Sequence, residues 1–172
     1  MRGAVMYAPG NVRVEDRQSP ALEAPTDVVI KVVAACVCGS DLHPYRGVEP
    51  VHGGTPMGHE YVGIVEQVGD AVRSITVGDF VVGSFMASDN TCEICAAGYR
   101  SRCVHGEFVG AGGAQSEYLR VPLADGTLVA TPGPAQRGPD PVPARRLRRA
   151  GHGLVRCRCR GGRPRGDRRG GR

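Results

Sequence analysis

Beyond Gly133 the chain has nothing from which to build a hydrophobic core. Residues 134–172 hold 13 Arg and 2 Asp, no Lys, Ile, Phe or Tyr, and only scattered Leu and Val. Such a segment cannot bury enough apolar surface to offset the entropy of ordering it, so a disordered Arg/Gly/Pro-rich tail is expected. Any fold must then come from residues 1–133. That part carries 9 Lys+Arg against 15 Asp+Glu, so the overall charge of +5 conceals a body of net −6 and a tail of net +11. An arginine arm can bind phosphate backbones by counterion release. The tail offers no aromatic side chain for base stacking, however, and the acidic body opposes approach to phosphates, so nucleic acid is not the expected partner. Arg, Gly, Pro and Ala are also what GC-rich codons yield when read out of frame, and a frameshift is the simpler origin.

Residues 1–133 read as short apolar runs cut by turn residues: AVMYA, VRVED after Pro9-Gly10-Asn11, DVVIKVVAAC, YVGIVEQV, DFVVGSF and SEYLRVPL. Strands of this length at close spacing predict a mainly β fold, a closed or partly closed barrel. In the third run Val28, Ile30 and Val32 alternate with Val29, Lys31 and Val33, which predicts a strand mostly buried on both faces. The SDLHPYRG stretch breaks the alternation and has room for one helical turn begun by Ser40 and limited by Pro44. No charged segment followed by an apolar one opens the chain. Its longest apolar run, Val32–Cys38, is far below the roughly 20 residues of a membrane helix. A soluble, cytoplasmic protein is expected, in which seven cysteines are thiols or metal ligands rather than a disulfide framework.

The chemistry concentrates in CVCGSDLH (36–43) and GHEY (58–61). Thiolate and imidazole are good zinc ligands, and a catalytic zinc keeps one position open beside three protein ligands. Cys38, His59 and Glu60 are the candidates, and Cys36 is read as a small core residue. Residues 59 and 60 are adjacent in a strand-like run and so are expected to point to opposite sides. Either a loop brings both to one metal, or only one binds at a time. Ser40 could pass a proton to His43, and Asp41 could orient His59 by accepting from its other ring nitrogen.

The combination C-G-S-D-L-H followed by G-H-E-Y-V-G-I-V-E-x-V-G resembles the zinc-dependent alcohol dehydrogenases of the medium-chain dehydrogenase/reductase superfamily. The resemblance extends over residues 1–133 and implies their GroES-like catalytic domain, a strongly bent β-barrel. It implies that Cys38 and His59 bind catalytic zinc, that Glu60 lies at or beside the metal, and that Ser40 and His43 form a proton relay. Gly39 stands where some relatives have a basic residue that reaches the cofactor pyrophosphate. The family's structural-zinc lobe, C-x2-C-x2-C-x7-C, is matched by Cys92, Cys95 and Cys103, with Asp89 at the first position. A carboxylate oxygen can ligate zinc, so either a Cys3Asp site or a lobe folded without metal follows, and His105 just beyond is read as a surface residue.

Such dehydrogenases need a Rossmann domain with a Gly-rich turn at the pyrophosphate of NAD or NADP. GAGGAQ (110–115) follows no long parallel strand and is read as a turn, and the 39 remaining residues are too few for such a domain. A further ligand or cleft wall drawn from beyond the barrel is missing with it. The resemblance therefore implies the zinc-binding catalytic domain of an NAD(P)-dependent oxidoreductase acting on a small-molecule alcohol or aldehyde, truncated and inactive alone. The alternatives are a non-catalytic zinc module with a nucleic-acid-contacting tail, or a reductase that has lost its zinc, against which the retained ligand set argues. Tyr45, Phe85 and Met86 are candidates for the near wall of the substrate pocket. Substrate identity, the choice of NAD or NADP, and oligomeric state stay open. If the tail is an out-of-frame reading, translating the coding DNA past codon 133 in the other two frames will continue a globular sequence in one of them; two more unfoldable frames would overturn it.

Overall fold

The computed structural model describes residues 1–131, so the expected tail, 134–172, lies outside the described residues. The elements in chain order are β1 (Arg2–Ala8), β2 (Asn11–Asp16), β3 (Val28–Ala35), α1 (Leu42–Tyr45), β4 (Thr55–Pro56), β5 (Tyr61–Val68), β6 (Phe80–Gly83), α2 (Glu93–Ala96), β7 (Tyr118–Val121), α3 (Ala124–Thr127) and β8 (Leu128–Ala130). They form a three-stranded sheet, β2-β1-β4, and a five-stranded sheet, β7-β3-β5-β6-β8. Every pairing among the described strands is antiparallel. The mainly β expectation therefore holds. The two-residue strand β4 and the three-residue strand β8 leave no signal in the sequence, because neither is long enough to show a period.

The sheets are laced together where the chain enters β7. Ala4 N–H donates to the Gln115 carbonyl at 2.8 Å and Glu117 N–H to the Arg2 carbonyl at 3.0 Å. The core lies inside the larger sheet, with Val28, Ile30, Val65, Val81, Leu119 and Val121 all almost fully buried. β3 departs from its reading as a strand buried on both faces: residues 28–30 are buried, but Val33 is 55% exposed. The cause is two register shifts against β5, between Val29 and Ile30 and between Val32 and Ala34. An extra residue on one strand bends it and breaks the alternation of faces. Beyond the second shift β3 no longer lies over the core.

Asp27, just before β3, is fully buried. Its Oδ2 accepts from the backbone N–H groups of Glu23 and Ala24, at 2.9 and 2.8 Å, and from Arg120 Nε at 2.7 Å. Arg120 lies opposite Val29 on β7, so this ion pair holds the start of β3 to its neighbour. A buried carboxylate stripped of its cation is strongly destabilising. Arg120→Met is expected to cost about 3 kcal/mol or more in urea unfolding; a loss below about 1 kcal/mol would show that the backbone donors alone satisfy Asp27.

Candidate metal centres

At the end of β3 the chain turns out of the sheet. Cys38 is extended (φ −81°, ψ 159°) and precedes a 3₁₀ turn over Gly39–Asp41 that runs into α1. The turn begins one residue before the expected Ser40. Pro44 does not interrupt α1, because it falls in the first helical turn, where its missing N–H has no intrahelical partner to lose. Asp41 closes the turn by accepting the Cys38 N–H on Oδ2 at 2.8 Å. Its other oxygen, Oδ1, lies 3.4 Å from His59 Nδ1, with both side chains largely buried. One carboxylate thus braces two candidate ligands from segments about twenty residues apart.

His59 and Glu60 lie before β5, which starts only at Tyr61. Gly58 precedes them at φ +88°, a left-handed conformation that side chains resist, and a Cβ there would strike the Gln115 backbone nitrogen at 2.9 Å. The pair therefore lies outside the strand-like run read from the sequence and is not subject to strand alternation. Cys38 Sγ, a His59 ring nitrogen and a Glu60 carboxylate oxygen lie within 4.8 Å of one another. Cys36 N–H donates to the Glu60 carbonyl at 3.1 Å, pinning the two segments side by side. Cys36 itself is buried in the core, as read from the sequence.

With Asp41 beside Nδ1, the remaining ring nitrogen, Nε2, lies 3.2 Å from Ser40 Oγ. The hydroxyl is therefore at the centre. His43 is turned toward Glu49, with Nδ1 3.4 Å from Oε1 and both side chains more than half exposed; among the described residues no hydrogen bond joins it to Ser40. The rings of Phe85 and Phe108 each stand 5.9 Å from that of His59 and 6.4 Å from each other. Phe108 is not among the wall residues read from the sequence. Its segment meets that of Phe85 through a bridge between Met86 and Phe108, a pairing too short to leave a pattern. Tyr45 ends α1, where its carbonyl accepts the Gly10 N–H. Of the 110–115 stretch, residues 110–112 belong to a short 3₁₀ helix, Val109–Gly112, which ends at Gly113 with φ +77°. Gly110 lies so close beneath the site that a Cβ would meet the Phe108 ring and His59 Cβ at 2.8 Å.

The lobe grows from the same pair of segments. Ala87 and Ser88 are buried at its base, where Ser88 N–H donates to Thr127 Oγ1 at 3.1 Å. Cys92 caps α2, accepting the Cys95 N–H on its sulfur. The Cys92 and Cys95 sulfurs are 3.3 Å apart, and both lie within 4.8 Å of Cys103 Sγ. Asp89 joins a second cluster, with Cys103 and His105, that shares Cys103 with the first. Its Oδ1 is 3.2 Å from Cys103 Sγ and its Oδ2 is 2.7 Å from His105 Nδ1. His105 is exposed, as expected, yet it touches a candidate ligand.

The electrostatics of the lobe suit a cation. Hydrogen bonds from the Thr91 backbone and hydroxyl, with help from Cys103 and His105, hold Asp89 well below the usual carboxylate range. The Val104 and Cys95 backbone N–H groups bring Cys92 down to about 7. The Ser88 hydrogen bond pulls Cys95 down, but burial and the neighbouring thiols Cys92 and Cys103 outweigh it and push the group up. Thiols packed this tightly cannot all ionise side by side, and a divalent ion removes the conflict. The donor sets of both centres, sulfur with nitrogen or oxygen, are those zinc takes.

Residues 24–132 match the alcohol dehydrogenase GroES-like domain. The chain is 44% identical over 135 residues to "Zinc-type alcohol dehydrogenase B" of Aspergillus flavus, covering 77% of this chain and 32% of that protein. It is 45% identical over 136 residues to "Medium chain reductase/dehydrogenase ucsI" of Acremonium sp, covering 77% and 47%. Among solved structures it is similar to "Alcohol dehydrogenase TADH from Thermus sp. ATN1", with a TM-score of 0.72 and 38% identity over 77% of this chain and 40% of that one. The chain thus spans a third to a half of the length of these curated relatives. No described helix is long and apolar enough to cross a membrane.

The thiolate is the form of cysteine that iodoacetamide alkylates, so metal-free Cys92 should react faster than Cys95. Its rate should rise with pH and reach half its maximum near pH 7. Peptide mapping across a pH series checks this; Cys95 reacting first would contradict the arrangement of donors around Cys92.

Proposed function

Because the chain belongs to the alcohol dehydrogenase GroES-like domain family, we propose that it is the zinc-holding catalytic portion of an oxidoreductase interconverting a small alcohol and its aldehyde by hydride transfer to NAD or NADP. The observation that carries this is the convergence of Cys38, His59 and Glu60 within 4.8 Å, with Asp41 behind the imidazole. Zinc bound there would act as a Lewis acid on the substrate oxygen and lower the pKa of the alcohol. Cys38 and His59 would hold the metal, and Glu60 would assist or give way to water.

The protein's own groups do the rest. Asp41 fixes the ring of His59 so that Nδ1 is engaged and Nε2 is left for the metal. Ser40 Oγ, beside Nε2, would take the alcohol proton, and His43, which makes no hydrogen bond to Ser40 among the described residues, would be the group that carries it on toward solvent, its ring 3.4 Å from Glu49. Phe85 and Phe108 form an aromatic wall against His59, which would shield the reacting carbon from water and favour an apolar substituent on it. The described strands contain no parallel β-α-β unit, and Gly39 brings no cation to a pyrophosphate, so the nicotinamide would be bound by groups other than these. In the lobe, Asp89, Cys92, Cys95 and Cys103 would hold a second, structural zinc.

Metal analysis after gentle chelation and zinc readdition tests the assignment. Cys38→Ser and His59→Ala should each lose one equivalent of zinc relative to the unmutated chain, whereas Cys36→Ala should lose none. An unchanged metal content in both ligand variants would overturn the catalytic centre.

A further inference from the structure

An aspartate in a position otherwise filled by thiolates presents a problem that a thiolate does not. A sulfur offers one ligating atom, but a carboxylate offers two oxygens and about four lone-pair sites on a torsion with broad, poorly defined wells. Something must decide which oxygen faces the metal. In this lobe the two oxygens are treated differently. Oδ2 receives His105 Nδ1 at 2.7 Å and the Thr91 hydroxyl at 2.7 Å. Oδ1 receives the Thr91 N–H at 3.0 Å and the Cys103 thiol, itself a candidate ligand, at 3.2 Å.

The placement of His105 follows from the turn that carries it. Gly106 N–H donates to the Cys103 carbonyl at 3.1 Å, and a Cβ at residue 106 would meet the Ala87 carbonyl oxygen at 2.6 Å. This tight turn packs against the base of the lobe, so Cys103 and His105 both reach back to Asp89. An exposed histidine is ordinarily left to solvent; this one is held at charge-assisted distance from a carboxylate.

We propose that His105 is the positioning residue for the lobe's fourth metal ligand: by occupying Asp89 Oδ2 it leaves Oδ1 facing Cys103, the sulfur shared with Cys92 and Cys95. The inference rests on the reading that the lobe takes a metal. His105 itself stays outside the ligand set, acting as the imidazole counterpart of the carboxylates that orient metal-bound histidines.

The test uses the full chain carrying His59→Ala, so that cobalt(II) uptake reports on the lobe through its thiolate-to-cobalt absorption, with affinity measured against a competing chelator. His105→Ala should weaken binding by about 10- to 100-fold, the usual effect of losing a group that orients a ligand. His105→Gln, which keeps an N–H donor, should stay within a few-fold of the parent. In an Asp89→Ala background His105→Ala should have no further effect, because the group it positions is gone. The same loss with and without Asp89 would overturn the proposal and make His105 a ligand in its own right or part of a second ion site. Unchanged affinity in His105→Ala would also overturn it. A parent that takes up no cobalt overturns the metal reading of the lobe instead. Thermal unfolding of the metal-free variants separates lost affinity from lost folding.

Discussion

The antiparallel pairing of β3 with β5 is the constraint on which the first centre depends. It sets Ala35 opposite Tyr61, so the residues that leave one strand lie beside the residues that enter the other. Cys38 follows the first strand and His59 and Glu60 precede the second. The hydrogen bond from Cys36 to the Glu60 carbonyl extends the pairing one step past the strands. Asp41 then spans both sides, accepting the Cys38 N–H with one oxygen and lying 3.4 Å from His59 Nδ1 with the other. Ladder hydrogen bonds made for the sheet thus bring the candidate ligands together, and the ion pair of buried Asp27 with Arg120 holds the far end of the same strand.

A second pair of segments, 84–89 and 103–109, joins the two centres. Backbone hydrogen bonds hold these segments together: Ala87 N–H donates to the Glu107 carbonyl and Val109 N–H to the Phe85 carbonyl, both at 2.8 Å. At one end of this short ladder stand Phe85 and Phe108, against His59; at the other stand Asp89, Cys103 and His105. The same backbone hydrogen bonds thus tie the cysteine lobe to the aromatic pair beside His59.

Much of this was readable in the residues. The strands β1, β2, β3 and β5 announce themselves by apolar runs between turn residues, and Cys38, His59 and Asp41 could be picked out by ligand chemistry. Other features left no trace. The bulges that expose Val33 depend on how β5 pairs with β3, which periodicity within either strand cannot reveal. Phe108 is far from His59 along the chain, and nothing local marks the two as neighbours. His105 reads as a surface residue because its partner is sixteen positions away.

By itself the sequence determined the chemical inventory and its local spacing: which residues can ligate a metal and where the longer strands run. These are properties of side chains and of short-range backbone preference, which act within a few residues. The tertiary structure alone decided that His59 and Glu60 turn the same way, that Asp89 faces Cys103 with one oxygen and His105 with the other, and that two phenylalanines meet over the imidazole. Each of those depends on strand register and on turns that bring distant backbone together, and such geometry is specified only when the whole core packs.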